Sequence, residues 1–236
     1  MRRALLSAAV VAAAAAALAL GASPAAATNE CRGLQVCVRV AGPWVVVPAS
    51  LRTPRARVDY QLSCPRGFVV GGLDAELTDR AIDVGFAAKL GSPVNPGVTT
   101  SRSVLFGPTY TGNSPRGPTF RPHLGCLPSA GGGTGPVPFK VPAVFPPGQP
   151  TIRRVRNVGL RPGSLRVAAA CAAGERLISG WHAIGFVTAA PPSPAQVQSI
   201  VATQSVRAGR VEVRVRAGVG AFNAVIQVGA VCGGGS

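Results

Sequence analysis

The stretch Arg210-Val-Glu-Val-Arg-Val-Arg216 decides how the chain is read. Val211, Val213 and Val215 recur at every second residue between Arg210, Glu212, Arg214 and Arg216. A period of two is that of a strand with one face in a core and the other in water. Outward from it, Arg57-Val-Asp-Tyr-Gln-Leu62 alternates likewise, with Val58, Tyr60 and Leu62 on the inner face. Residues 36–40, 44–47, 98–106, 151–158, 165–170, 183–188, 197–206 and 224–231 read as further strands, rich in valine and bounded by glycine or proline. No segment after residue 27 carries a sustained helical stripe. Short strands at this spacing predict an all-β chain of antiparallel sandwich-like units.

The cysteines divide that pattern in two. Cys64 to Cys126 spans 62 positions and Cys171 to Cys232 spans 61, which points to an internal duplication. Cys64-Pro-Arg-Gly67 with Gly72 matches Cys171-Ala-Ala-Gly174 with Gly180, and Gly85-Phe86, Ser92-Pro93 and Ser103-Val104 find counterparts at Gly185-Phe186, Ser193-Pro194 and Ser205-Val206. One larger β domain with coincidental spacing is the competing reading. A duplication pairs Cys64 with Cys126 and Cys171 with Cys232, stapling the first strand of each unit to its last, and leaves Cys31 for Cys37. Loops of that length stabilise by about 4 kcal/mol each in the chain-entropy model, and the short one by about 2.

Residues 1–27 place Arg2 and Arg3 before an apolar, alanine-rich stretch that ends in Ala25-Ala-Ala27, the plan of a secretory signal peptide. A membrane anchor is the alternative, but no second apolar run of about 18 residues follows. The organisation expected is a leader at 1–27, a first β unit at 28–130, a Gly/Pro linker at 131–138 and a second β unit at 139–236. An even cysteine count in an exported chain reads as three disulfides rather than a metal site.

Two asymmetries between the units are candidate sites. An insertion near residues 76–83 collects Asp74, Glu76, Asp79 and Asp83, whose oxygens suit calcium. No glycine-turned ligand loop accompanies them and Arg80 is a ready counterion, so the reading is a solvated charged loop with no metal. Residues 107–122 hold four prolines and are expected as an exposed loop. That loop would carry Tyr110, Arg116, Phe120 and Arg121, with Arg116-Gly117 as a bait bond for a protease.

Catalytic motifs are missing: there is no Gly-x-Ser-x-Gly elbow, His-Glu-x-x-His helix, phosphate loop or dinucleotide fingerprint. The only histidines, His123 and His182, read as structural, and no cofactor is implied. An unrecognised hydrolase is kept as the alternative class.

The charge is the strongest compositional signal. The chain has 24 Lys and Arg against 8 Asp and Glu, and the stretch from residue 139 onward is the more basic half. Arg153, Arg154, Arg156, Arg161, Arg166, Arg207, Arg210, Arg214 and Arg216 fall on strand faces or adjoining turns. Such rows would attract an anionic cell-wall polymer or another polyanion, with Arg207, Arg210, Arg214, Arg216, Arg153, Arg154 and Arg156 as the binding set. A GC-rich composition that uses arginine wherever a cation is tolerated accounts for the charge at least as well. No recognition helix or stacking platform supports sequence-specific nucleic-acid reading.

At Cys64-Pro-Arg-Gly67 with Gly71-Gly72, and at Cys171-Ala-Ala-Gly174 with Ala230-Val231-Cys232, the chain resembles uncharacterised secreted β-rich proteins of GC-rich actinobacteria. These carry Cys-Pro-x-Gly, a glycine pair and a terminal Ala-Val-Cys. The second unit departs from the pattern with Ala172 after its cysteine. The resemblance implies an envelope-associated β protein and no activity. The expectation is therefore a secreted or cell-envelope, non-enzymatic binding or structural protein without a transmembrane anchor, the alternatives being a protease inhibitor acting through residues 107–122 and the hydrolase.

Overall fold

The computed structural model describes residues 28–34, 36–49, 53–87, 102–113, 117–129 and 151–233. The leader at 1–27, the linker at 131–138 and Arg116 lie outside them. Among the described residues the chain is all-β, with antiparallel pairing throughout. The strands are β1 (Val38–Ala41), β2 (Trp44–Val46), β3 (Tyr60–Ser63), β4 (Phe68–Leu77), β5 (Ile82–Ala87), β6 (Ser103–Tyr110), β7 (Thr119–Pro128), β8 (Ile152–Gly159), β9 (Gly163–Ala170), β10 (Arg176–Phe186), β11 (Ile200–Arg207), β12 (Arg210–Ala217) and β13 (Ala224–Gly233).

One short helix, α1 (Pro194–Gln198), precedes β11, so residues 197–198 do not belong to the strand expected there. The local chemistry accounts for it. The Ser193 hydroxyl accepts from the Gln196 N–H while the Gln196 side chain accepts from the Ser193 N–H, and Pro194 sits at the first position.

Each half repeats one plan. Counting from β3 in one half and from β9 in the other, the strands that lead into Cys64 and Cys171, two small sheets, β3-β6-β5 and β9-β12-β11, take the first, fourth and third strands. The second and fifth strands pair as β4 with β7 and β10 with β13 in one large sheet. Disulfides join Cys31–Cys37, Cys64–Cys126 and Cys171–Cys232, the three pairings the spacing predicts. The seventh residue after each leading cysteine, Gly71 or Ile178, bulges out of its ladder. The correspondences of Gly85-Phe86 with Gly185-Phe186 and of Ser103-Val104 with Ser205-Val206 fail, because they match β5 with β10 and β6 with β11. Identical dipeptides are common in so valine- and glycine-rich a chain.

The large sheet is continuous through both halves because β2 pairs with β7 on one side and β10 on the other. Both pairings are antiparallel, so the second half is turned over relative to the first. Val45 and Ala183 point into the first core, with Phe106, Phe120 and Leu124, while Val46, Ile184 and Phe186 point into the second, with Val211, Val213 and Ile226. The small sheets therefore cover opposite faces of the large one. Fully burying a side chain the size of Phe106 or Phe120 contributes roughly 2–3 kcal/mol.

Gln227 closes the seam. It is fully buried on β13; its Oε1 accepts from the Gln61 N–H at 2.6 Å and its Nε2 donates to the Gln61 carbonyl at 2.9 Å. One side-chain amide thus stands in for a strand beside β3. At the far end, the 28–34 arm lies across β4 and β7. A Cβ on Gly72 or Gly125 would collide with the Glu30 carbonyl, which is why the ladder carries glycine there.

Two sequence expectations are corrected by this topology. Both ends of residues 107–122 are strand: β6 continues to Tyr110 and β7 starts at Thr119. Pro108 and Pro122 fit because each turns its donorless side toward a break in the neighbouring strand. The Pro108 carbonyl accepts from Val58 just ahead of β3, and the Pro122 carbonyl accepts from Gly42 between β1 and β2. The charged segment 76–83 is likewise the end of β4 and the start of β5, joined by a tight turn.

Candidate anion-binding face

The face is built from alternation and register. On β12, Val211, Val213, Val215 and Ala217 are buried while Arg210, Arg214 and Arg216 are exposed. On β9 the same period buries Val167 and Ala169 and turns Arg166 outward. Pairing then assembles four rows across β11, β12 and β9: Val201, Arg216 and Ser164; Thr203, Arg214 and Arg166; Ser205, Glu212 and Ala168; Arg207, Arg210 and Ala170. Arg214 stands directly opposite Arg166, and Arg207 opposite Arg210 across the Ala208-Gly209 turn. Like charges so placed destabilise a sheet. The one acid of the four rows, Glu212, reaches within 3.9 Å of Arg214 Nε. Ser164, Arg166, Val201, Thr203, Arg214 and Arg216 line a groove of about 510 Å³, so guanidinium and hydroxyl donors share its floor.

Of the seven arginines expected to bind, the structure gathers Arg207, Arg210, Arg214 and Arg216 and sets Arg153, Arg154 and Arg156 apart on β8, in the large sheet. Arg154 is committed to Glu175, with Nε 2.9 Å from Oε2 and Nη2 2.5 Å from Oε1. That hydrogen-bonded pair raises the Arg154 pKa and, with the Ala172 N–H, holds the Glu175 carboxyl below the usual range. Arg153 is half-buried, and the loss of hydration lowers its pKa against the opposing pull of Asp59. Arg156 is exposed. Arg166, absent from the expected set, completes the face; its outward direction is legible in its alternation with Leu165, Val167 and Ala169, but its pairing with β12 is not.

Of the inhibitor set, Tyr110, Phe120 and Arg121 lie in β6 and β7 rather than on an exposed loop, and Arg116 is outside the described residues. Tyr110 is buried and donates its hydroxyl hydrogen to Asp79 Oδ2 at 2.9 Å, and Phe120 is fully buried. Arg121 donates to the Gly42 carbonyl at 3.1 Å and lies 5.8 Å from the Trp44 ring centroid, a cation–π contact. The acids near the β4–β5 turn are dispersed. Asp74 accepts from the Asn29 and Ala75 N–H groups, Asp79 from Ala81 and Tyr110, and Glu76 reaches His123. The one metal-like grouping among the described residues, Cys171, Glu175 and Cys232, has its sulfurs joined to each other and its carboxylate held by Arg154.

Both histidines are engaged. His182 on β10 shares a 2.8 Å hydrogen bond with Gln204. His123 is buried on β7 between two carboxylates, with Nδ1 3.9 Å from Glu30 and Nε2 3.2 Å from Glu76. Glu30, whose side chain is 1% exposed, also has Arg39 at 3.6 Å. Sequence reading missed this buried acid because its neighbours come from β1, β4 and β7.

Among the described residues no helix is long and apolar enough to cross a membrane. No protein-family model, curated protein or solved structure matches the chain.

Proposed function

We propose that the chain is a secreted or cell-envelope protein that binds anionic polymers, without catalysis, through the outer face of β9, β12 and β11. The observation that carries this reading is the register that sets Arg214 against Arg166 and Arg207 against Arg210. Each like-charged pair costs its sheet up to about 1 kcal/mol, and a bound row of anions relieves that repulsion. Composition alone explains many arginines; it does not explain two such pairs on one face. Alternate residues along β12 stand about 6.8 Å apart and adjacent strands about 4.8 Å apart, spacings that suit the repeating charges of a phosphodiester or uronate chain. Recognition by charge rows is indifferent to sequence. Export is supported by the leader-like 1–27, the three disulfides and the resemblance to secreted actinobacterial proteins.

The test is retention of the oxidised chain on immobilised heparin and on purified wall polymer over a salt series, beside a control protein of matched size and charge. Later elution than the control, reduced by Arg166→Thr and by Arg214→Thr, supports the reading. Co-elution with the control assigns the charge to composition and overturns it.

A further inference from the structure

β10 is paired along its whole length with β13 on one side, but on the other its ladder with β2 covers only Gly185 and Phe186. From Gly180 to Ile184 no strand among the described residues pairs with that second edge, and it opens into a cleft of about 460 Å³ between the two halves. Five consecutive residues of one strand line the cleft, as they do when a strand is presented edge-on. Edges that end a sheet lie at its rim; this one is recessed in the middle of the large sheet. We propose that the cleft admits an extended peptide of a partner protein, which adds to β10 as a strand.

The backbone supplies the recognition. Gly180 turns its carbonyl toward this edge, where it accepts from Gln204 Nε2 at 3.2 Å. Strand alternation then directs the backbone N–H and C=O of His182 to the same side. Unpaired strand groups beside a cavity are the template for strand addition, with main-chain hydrogen bonds giving affinity and wall pockets giving selectivity. An edge of five residues spans about 17 Å, enough for four or five peptide residues.

The walls define the peptide's chemistry. Val46, Val58 and Ile184 are apolar, and Arg57 Nε lies 2.7 Å from Asp59 Oδ1, so the two charges there neutralise each other. An uncharged segment is favoured. Because the Gln204 amide nitrogen faces Gly180, its Oε1 faces His182 Nδ1, which donates to it at 2.8 Å. In the neutral ring Nε2 is then the acceptor, available to a serine or threonine hydroxyl. The matching peptide alternates valine with threonine.

Acetyl-Thr-Val-Thr-Val-Thr-amide is titrated into the ¹⁵N-labelled oxidised chain, with two further peptides of the same sequence, one N-methylated at the threonines and one at the valines, as the two methylation phases. Saturable shifts of the His182 and Ile184 amides, slower exchange of the His182 amide, and at least tenfold weaker binding of whichever methylation phase blocks the β10-facing edge are expected. Saturating heparin leaves this titration unchanged, since the arginine face is separate. Equal affinity for both methylation phases and the parent, no shift at millimolar peptide, or shifts confined to Arg214 and Arg216 would each overturn the proposal.

Discussion

Arg166→Thr separates a functional arginine face from a merely compositional one, because stability and binding should move in opposite directions. Arg166 and Arg214 are cross-strand neighbours with both side chains on the solvent face. A like-charged pair in that position costs about 0.2–1 kcal/mol, and the low end applies here because both guanidiniums are solvated and screened. Threonine suits an exposed strand position. The variant should therefore gain a few tenths of a kcal/mol in urea unfolding. Binding should weaken. If the five arginines of the face each neutralise one phosphate of a duplex DNA probe, the logarithmic salt slope is about −4.5, falling to about −3.6 in the variant. Between 0.05 and 0.2 M salt the wild-type affinity should then drop roughly 500-fold and that of the variant roughly 150-fold. Titrations by fluorescence anisotropy at four salt concentrations resolve that difference. A variant that gains stability while keeping the full slope would refute the argument, since Arg166 would then repel Arg214 without contacting the polymer.

Replacing Cys171 and Cys232 together by alanine should cost about 4 kcal/mol in urea unfolding, against about 2 for the Cys31–Cys37 pair, because the loops closed differ tenfold in length; equal losses would contradict the chain-entropy account. Gln227→Leu should destabilise by roughly 2–4 kcal/mol, since the Gln61 N–H and C=O both lose their partner, and hydrogen exchange should rise first at Gln61. Burial pushes the Tyr60 hydroxyl up to about 12. Its folded value exceeds the unfolded one, so its contribution is complete below pH 10, falls as pH rises toward 12, and is roughly 3 kcal/mol in total; Tyr60→Phe should flatten stability across that window in alkaline denaturation. Glu175 is shifted the other way, so its contribution is present above the ordinary carboxylate range and lost as pH falls through its lowered folded value. Glu175→Gln should remove that part of the acid dependence, read by thermal unfolding at stepped pH.

Much of the fold is legible locally. The valines of β12 announce a half-buried strand by period alone, and the spacing of Cys64, Cys126, Cys171 and Cys232 announces both the duplication and its staples. Reading failed where pairing overrides local preference. Proline content marks 107–122 as a loop, yet Pro108 and Pro122 sit in β6 and β7 because the strands beside them are interrupted at those points. The acids at 74–83 look like one cluster in the sequence, but alternation along β4 and β5 and the turn between them give each a different neighbour. The valine pattern reads 197–206 as one strand, yet residues 197–198 close α1 because Ser193, Pro194 and Gln196 cap it.

The candidate face shows the same division. By itself the sequence determined that β12 is a strand with arginines on its wet side, since that follows from a two-residue period and from the cost of burying charge. It also determined the three disulfides, through spacing. Which arginines act together was decided only by tertiary structure. Register across β11, β12 and β9 brings Arg166 to Arg214 from 48 residues away, while Arg154, equally basic on paper, is spent on Glu175. The relation of the halves was decided there too. Antiparallel pairing of β2 with β10 turns the second half over, sets the two small sheets on opposite faces, and leaves the edge of β10 open between them, because hydrogen-bond partners far apart in sequence are chosen by the packed sheet and not by any local stretch of chain.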